Sequence, residues 1–210
     1  MNSPTPRAIV FDLGKVLLDF NYARAARALA ARSRVDEEAF RQALDQSELL
    51  WRFESGKLSS AEMFHEVVQI TGYCGDFPSF AQAFGDIFTE IAPMIDLHAR
   101  IRQAGVPTYI FSNTNGLAVD FIRGRFPFFQ GFQGYIFSHE VGCMKPEPAI
   151  YEAVESLAGH RGDRLLYIDD REENVRAGSA RGWQVIHHLS VSETVARVER
   201  QLNPADRRLA

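Results

Sequence analysis

Ala8-Ile9-Val10-Phe11 is an unbroken apolar run that delivers Asp12 and, two residues later, Gly14. No polar residue alternates within it, so a strand here needs apolar neighbours on both faces, as an inner strand of a parallel sheet has. Asp12 then falls at the carboxyl end of that strand, where open α/β sheets hold their ligands. Asp-x-Gly is also ordinary turn chemistry. The stretch by itself leaves a chemical and a turn-forming role for Asp12 both open.

The rest of the chain supplies the setting. Val16-Leu17-Leu18 ahead of Asp19 predicts a short flap leaving the sheet. Residues 21–90 then read as helical and strand-poor: an Ala- and Arg-rich stretch over 22–32, then Asp36-Glu37-Glu38 opening a segment with Phe40 and Leu44 on one face. Ser59-Ser60-Ala61-Glu62 has capping-box spacing ahead of Phe64, Val67 and Val68, and Gly72 closes that helix. Phe80, Phe84 and Phe88 recur at helical spacing and predict a packing stripe. From Pro93 onward strands and helices alternate. The pattern predicts a helix over 94–103 stopped by Gly105, a strand over 107–111, the loop Ser112-Asn113-Thr114-Asn115-Gly116 and an aromatic loop over 126–132. After these come a strand over 135–137, a helix opened by Lys145-Pro146, a strand over 165–168, a helix over 172–181, a strand over 183–187 and a last helix capped by Ser192. Such alternation implies right-handed crossovers and a parallel sheet covered by helices on both faces. The expected fold is therefore α/β: a Rossmann-like core made of residues 1–18 and 93–210, with an α-helical cap of residues 19–92 inserted above the functional edge.

A chain of 210 residues has room for a sizeable core. Its formal net charge of −4 leaves no footprint for nucleic acid or acidic lipid, although small anions remain possible ligands. Cys74 and Cys143 form no CxxC pair and predict packing in a reducing compartment. Residues 1–7 lack the apolar stretch of a signal peptide, and no later run reaches membrane-spanning length. The expectation is a cytoplasmic protein, monomeric or homodimeric, without nucleic-acid or membrane partners.

Three further sites join Asp12 at predicted carboxyl strand ends or in the loops after strands: Ser112-Asn113, Lys145 and Asp169-Asp170. A carboxylate with an ordinary pKa of about 4 is ionised at neutral pH and can attack phosphorus, splitting hydrolysis into two steps through an aspartyl-phosphate. Bringing an anion to an anion demands positive charge and donors. Lys145 can neutralise both partners, and the Ser112 hydroxyl and the Asn113 amide or backbone N–H can donate to phosphate oxygens. Asp169 and Asp170, with Asp12 and a backbone carbonyl, offer the hard oxygens that Mg²⁺ prefers.

Taken in order, Phe-Asp-Leu-Gly-Lys-Val-Leu around Asp12, Phe-Ser-Asn-Thr-Asn around Ser112, Met-Lys-Pro-Glu-Pro around Lys145 and Tyr-Ile-Asp-Asp-Arg-Glu-Glu-Asn around Asp169 resemble the haloacid dehalogenase superfamily of hydrolases over nearly the whole chain. Gly14, the Ser-Asn-Thr-Asn loop and Glu54-Ser55-Gly56-Lys57-Leu58-Ser59 look most like its bacterial α-D-glucose 1-phosphate phosphatase type. The resemblance implies Asp12 as nucleophile, Ser112, Asn113 and Lys145 as phosphate binders, and Asp12, the Gly14 carbonyl and Asp170 as Mg²⁺ ligands supported by Asp169. It also implies a small phosphorylated metabolite, such as a sugar phosphate, as substrate. Gly14 departs from the pattern, because phosphatases of this superfamily usually carry an aspartate there as general acid and base. Two alternatives remain open: a 2-haloacid dehalogenase-like hydrolase, and a catalytically weak phosphate-ligand binder. Trp51, Arg52, Phe53 and Glu54 precede a cap turn and are candidates to face the substrate. Arg24, Arg27 and Arg32 read as a solvated helix face, and the adjacent His187 and His188 point to opposite faces and predict no shared metal.

Overall fold

The computed structural model describes residues 4–45 and 47–202. The expected start over 1–7 and the expected core segment over 93–210 thus lie partly outside the described residues. Among the described residues the chain forms, in order, β1 (Ala8–Phe11), β2 (Leu18–Phe20), α1 (Tyr22–Ala30), α2 (Glu37–Leu44), α3 (Glu48–Glu54), α4 (Ser60–Thr71), α5 (Phe77–Gly85), β3 (Phe88–Glu90) and α6 (Ala92–Gln103). It continues with β4 (Thr108–Ser112), α7 (Gly116–Arg125), β5 (Gly134–Phe137), α8 (Ser138–Val141), α9 (Pro148–Ala158), β6 (Leu165–Asp169), α10 (Glu172–Ala180), β7 (Gln184–His187) and α11 (Val191–Leu202).

β1 lies at the centre of a five-stranded sheet of order β5-β4-β1-β6-β7, every pairing parallel. Its four residues are completely buried because successive side chains feed opposite cores. Ile9 and Phe11 pack with Met94, Leu97, Ala118, Ile122 and Val198 of the helices on one face. Ala8 and Val10 pack with Ile150, Tyr151 and Val154 of α9 on the other. This two-sided burial is why the run shows no polar alternation. Successive strands are laid down first to one side of β1 and then to the other, so their carboxyl ends open a crevice at the point where the order reverses.

Helices α1 to α5 surround a separate apolar cluster that includes Phe40, Phe53, Met63, Val67, Phe80 and Phe84. The capping box forms as expected, with the Ser59 N–H donating to Glu62 Oε2 at 2.8 Å and the Glu62 N–H to Ser59 Oγ at 3.3 Å. An antiparallel ribbon, β2 against β3, ties this helical insert to the sheet. The ribbon corrects one expectation: Phe88 does not continue the Phe80–Phe84 stripe. α5 ends at Gly85, which presses so closely on the Phe121 side chain of α7 that an added Cβ would lie 2.5 Å from it. Phe88 then pairs with Phe20 across the ribbon.

Other boundaries shift for local reasons. α3 is a further helix, capped by the Ser47 hydroxyl on the Leu50 N–H at 3.0 Å. α7 begins on Gly116 and contains Gly124, a composition that hides its helical character, and Asn115 caps it. The helix expected at Lys145-Pro146 opens later, at Pro148. Ser190, not Ser192, stands at the start of α11, accepting weakly from the Glu193 N–H at 3.4 Å. No helix among the described residues is long and apolar enough to cross a membrane.

Candidate active site

The parallel register brings the four expected motifs together. Phe11 is level with Ile110 on one side and Ile168 on the other, so Asp12, Ser112-Asn113 and Asp169-Asp170 leave adjacent strands at the same edge. The Asp12 N–H donates to the Ile168 carbonyl at 2.9 Å, continuing the ladder one residue past β1. Lys145 enters from the segment before α9. Its side chain is almost fully buried, and its ammonium forms an ion pair with Asp12 Oδ1 at 2.9 Å and donates to Asp169 Oδ2 at 2.7 Å and to the Phe111 carbonyl at 2.9 Å.

Asp169 is completely buried, with both oxygens in use. Oδ2 accepts from Lys145, from the Tyr167 hydroxyl and from Asn174 Nδ2, and Oδ1 accepts from the Arg171 N–H at 2.8 Å and from Asn174 Nδ2 at 3.1 Å. Asp170 is less buried and reaches the Asp12 carboxyl. Oxygens of Asp12, Asp169 and Asp170 lie within 4.8 Å of one another, a grouping able to hold a hard cation.

Three carboxyl groups against one ammonium leave this site short of positive charge. In the metal-free site burial pushes the Asp12 pKa up to about 8, Lys145 opposes the rise, and the charges of Asp169 and Asp170 add to it. Asp170 is raised as well, by burial and by Asp169. Burial alone would depress the Lys145 ammonium, but Asp12 and Asp169 outweigh it and hold the group charged above its usual range.

The Asn113 side chain has a structural task beside the one expected of it. Its Oδ1 accepts from the Lys145 N–H at 2.8 Å and its Nδ2 donates to the Lys145 carbonyl at 3.1 Å, bracketing that peptide from both sides. One N–H of the amide is engaged in this way; its second N–H and the backbone N–H remain for phosphate oxygens. The Ser112 hydroxyl is buried and makes a long hydrogen bond, 3.4 Å, to the Asn113 carbonyl, one readily exchanged for a stronger acceptor. Gly14 does not have a positive φ; Lys15 does, at 59°. A Cβ on Gly14 would lie 3.0 Å from the edge of the Phe20 ring.

Of the four residues before the cap turn, three have partners within the insert. Trp51 is exposed beneath the Lys57 ammonium, 3.7 Å from the ring centroid, Arg52 forms two 2.9 Å hydrogen bonds with Glu66, and Phe53 is buried in the insert's core. Glu54 is the exception: burial, and then the negative charge of Asp12, push its carboxyl up to about 8, with Arg171 pulling it back. His187 Nε2 meets the Asp170 carbonyl at 2.9 Å and His188 Nδ1 meets Thr194 Oγ1 at 2.7 Å, so the pair has separate partners as expected. The supporting roles of Asn174 and Tyr167 were not anticipated. Their signal was in the motif itself, since Asn174 ends Tyr-Ile-Asp-Asp-Arg-Glu-Glu-Asn and Tyr167 begins it.

The chain is similar to known phosphatases. D-ribitol-5-phosphate phosphatase of Bacteroides thetaiotaomicron is 24% identical over 183 residues, covering 84% of this chain and 88% of that protein. A sesquiterpene phosphatase of Aspergillus oryzae is 27% identical over 190 residues, covering 87% and 90%. A solved HAD family enzyme of B. thetaiotaomicron, in complex with magnesium and inorganic phosphate, superposes with a TM-score of 0.75 at 23% identity, over 86% of this chain and 93% of that one. The family model of the haloacid dehalogenase-like hydrolases matches residues 6–182, and the chain belongs to that family.

Proposed function

We propose that the protein is a Mg²⁺-dependent phosphatase that hydrolyses small phosphomonoesters, sugar phosphates among them, through an aspartyl-phosphate on Asp12. The observation that carries this reading is the buried Asp12 carboxyl, held 2.9 Å from Lys145 within a cluster of three acids. Such a cluster suits a divalent cation in its donor chemistry, its deficit of positive charge and the raised Asp12 and Asp170. Asp12, the Gly14 carbonyl and Asp170 would hold the ion, since the oxygens of Asp169 are already engaged with Lys145, Tyr167, Arg171 and Asn174. When bound, Mg²⁺ supplies the charge that returns Asp12 to its ionised form and screens the phosphate.

An Asp12 oxygen then attacks phosphorus and the ester P–O bond breaks, its electron pair leaving with the alcohol oxygen. Lys145, the Ser112 hydroxyl and the Asn113 N–H balance the charge on the phosphoryl oxygens. Water then attacks the aspartyl-phosphate and frees Asp12. Residues 19–92 act as a cap over this edge, with core segments over 1–18 and 93–210. Gly14, the Ser-Asn-Thr-Asn loop and residues 54–59 support the finer likeness to α-D-glucose 1-phosphate phosphatases.

The test is phosphate release from a panel of phosphomonoesters, with Mg²⁺ and with chelator, alongside a 2-haloacid. Release is expected only with metal, and Asp12→Asn is expected to abolish it. Turnover retained in Asp12→Asn, or chelator-resistant turnover of the haloacid alone, would overturn the reading.

A further inference from the structure

We propose that Glu54, carried by the helical insert, is the catalytic acid and base of this site, donating a proton to the leaving oxygen and then taking one from water. This rests on the phosphatase reading, in which Gly14 provides no side chain for either transfer.

The backbone geometry places Glu54 for the task. It is the last residue of α3, and its carbonyl accepts a 2.6 Å hydrogen bond from Ser138 Oγ, at the start of α8 directly after β5. The same Ser138 hydroxyl accepts from the Thr114 N–H at 2.9 Å and lies 3.1 Å from the Thr114 carbonyl, in the loop that carries Ser112 and Asn113. Two residues later, Gly56 has φ +72° and runs so close to the core that a Cβ would lie 2.3 Å from the His139 carbonyl oxygen. Ser138 and Gly56 thus clamp the end of α3 to the sheet edge from which Asp12 emerges. Arg52 and Phe53 are held within the insert, by Glu66 and by its apolar core. The groups that act on the Glu54 carboxyl are Asp12 after β1 and Arg171 before α10, and Glu54 in turn acts on the buried Tyr22 hydroxyl of α1, as does Asp45. Burial and Asp12 favour the protonated form near neutrality, the state a donor needs.

The protons balance. As the ester P–O bond breaks, its electron pair goes to the alcohol oxygen, which takes the Glu54 proton. The resulting carboxylate removes a proton from the water that attacks the aspartyl-phosphate. The P–O bond to Asp12 breaks with its electron pair returning to that carboxylate, and Glu54 is again protonated.

The experiment compares Glu54→Gln with wild type on a primary alkyl phosphate and on 4-nitrophenyl phosphate, whose phenolate leaves without a proton. Glu54→Gln is expected to lower kcat/KM for the alkyl ester by about 10²–10⁴-fold through loss of the acid, to lower kcat/KM for the aryl ester far less, and to lower kcat on both esters because hydrolysis of the aspartyl-phosphate loses its base. Equal losses of kcat/KM on both esters, a change in KM alone, or no loss on either would overturn the proposal. Asp12→Asn on the aryl ester reports on the phosphatase reading separately, since that reaction needs the nucleophile but no acid. A second measurement needs no turnover: with ¹³C-carboxyl-labelled glutamate in the metal-free protein, one resonance should titrate near pH 8 and vanish in Glu54→Gln. A Glu54 resonance titrating in the ordinary carboxylate range would overturn the assignment.

Discussion

Asn113→Ala separates the role that Asn113 plays in the fold from the one its motif suggested. The substitution removes both hydrogen bonds to the Lys145 peptide, 2.8 Å from its N–H and 3.1 Å to its carbonyl. A typical intramolecular hydrogen bond contributes about 0.5–1.5 kcal/mol, so the pair is worth roughly 1–3 kcal/mol. Asn113 is half-buried, so water can reach part of the vacated space, and the lower part of that range, about 1–2 kcal/mol, applies. In a chain of 210 residues each kcal/mol shifts Tm by about 2–4 °C, giving an expected fall of about 2–8 °C. The loosened peptide carries the ammonium that contacts Asp12, and a displacement near 1 Å at such a centre costs up to about 10²-fold in rate. Thermal unfolding of the metal-free protein reads the first effect, and steady-state phosphate release reads the second as a fall in kcat. An unchanged Tm with a raised KM and intact kcat would refute the reasoning and return the Asn113 amide to the phosphate.

The acidic pair should divide by function. Asp170→Asn is expected to weaken Mg²⁺ binding in a calorimetric titration while Tm holds; Asp169→Asn breaks a fully buried pair with Lys145 and should cost about 3–5 kcal/mol, read as a large fall in Tm. Equal Tm values for the two variants would contradict the division. Stability should also depend on pH through Glu54. Its carboxyl is raised from 4.5 to about 8 on folding, so the native state holds a proton that the unfolded chain has released, and stability present below 4.5 is lost as pH rises toward 8. Denaturant unfolding across that window should show a smaller decline in Glu54→Gln than in wild type, and parallel declines would count against the raised carboxyl.

Reading the chain alone was enough to find β1, the parallel alternation after Pro93, the Ser59–Glu62 capping box and the four motifs at the strand ends. Each of these is written in short-range terms: an apolar run, a spacing of three, a carboxylate or lysine next to a strand. The partners of those motifs were not legible, because they come from far along the chain. Asn113 faces the Lys145 peptide 32 residues away, and the Glu54 carbonyl meets Ser138 84 residues away. Only the assembled sheet edge brings the amide of Asn113 to the Lys145 peptide as a bracket. Phe88 keeps the helical spacing of its neighbours, yet the helix ends at Gly85, packed closely on Phe121, and pairing with Phe20 makes Phe88 a strand residue. Proton affinities were least readable of all. The raised carboxyls of Asp12 and Glu54 follow from burial and from other acids brought close by the fold, and neither quantity exists until the tertiary structure excludes water and sets the distances.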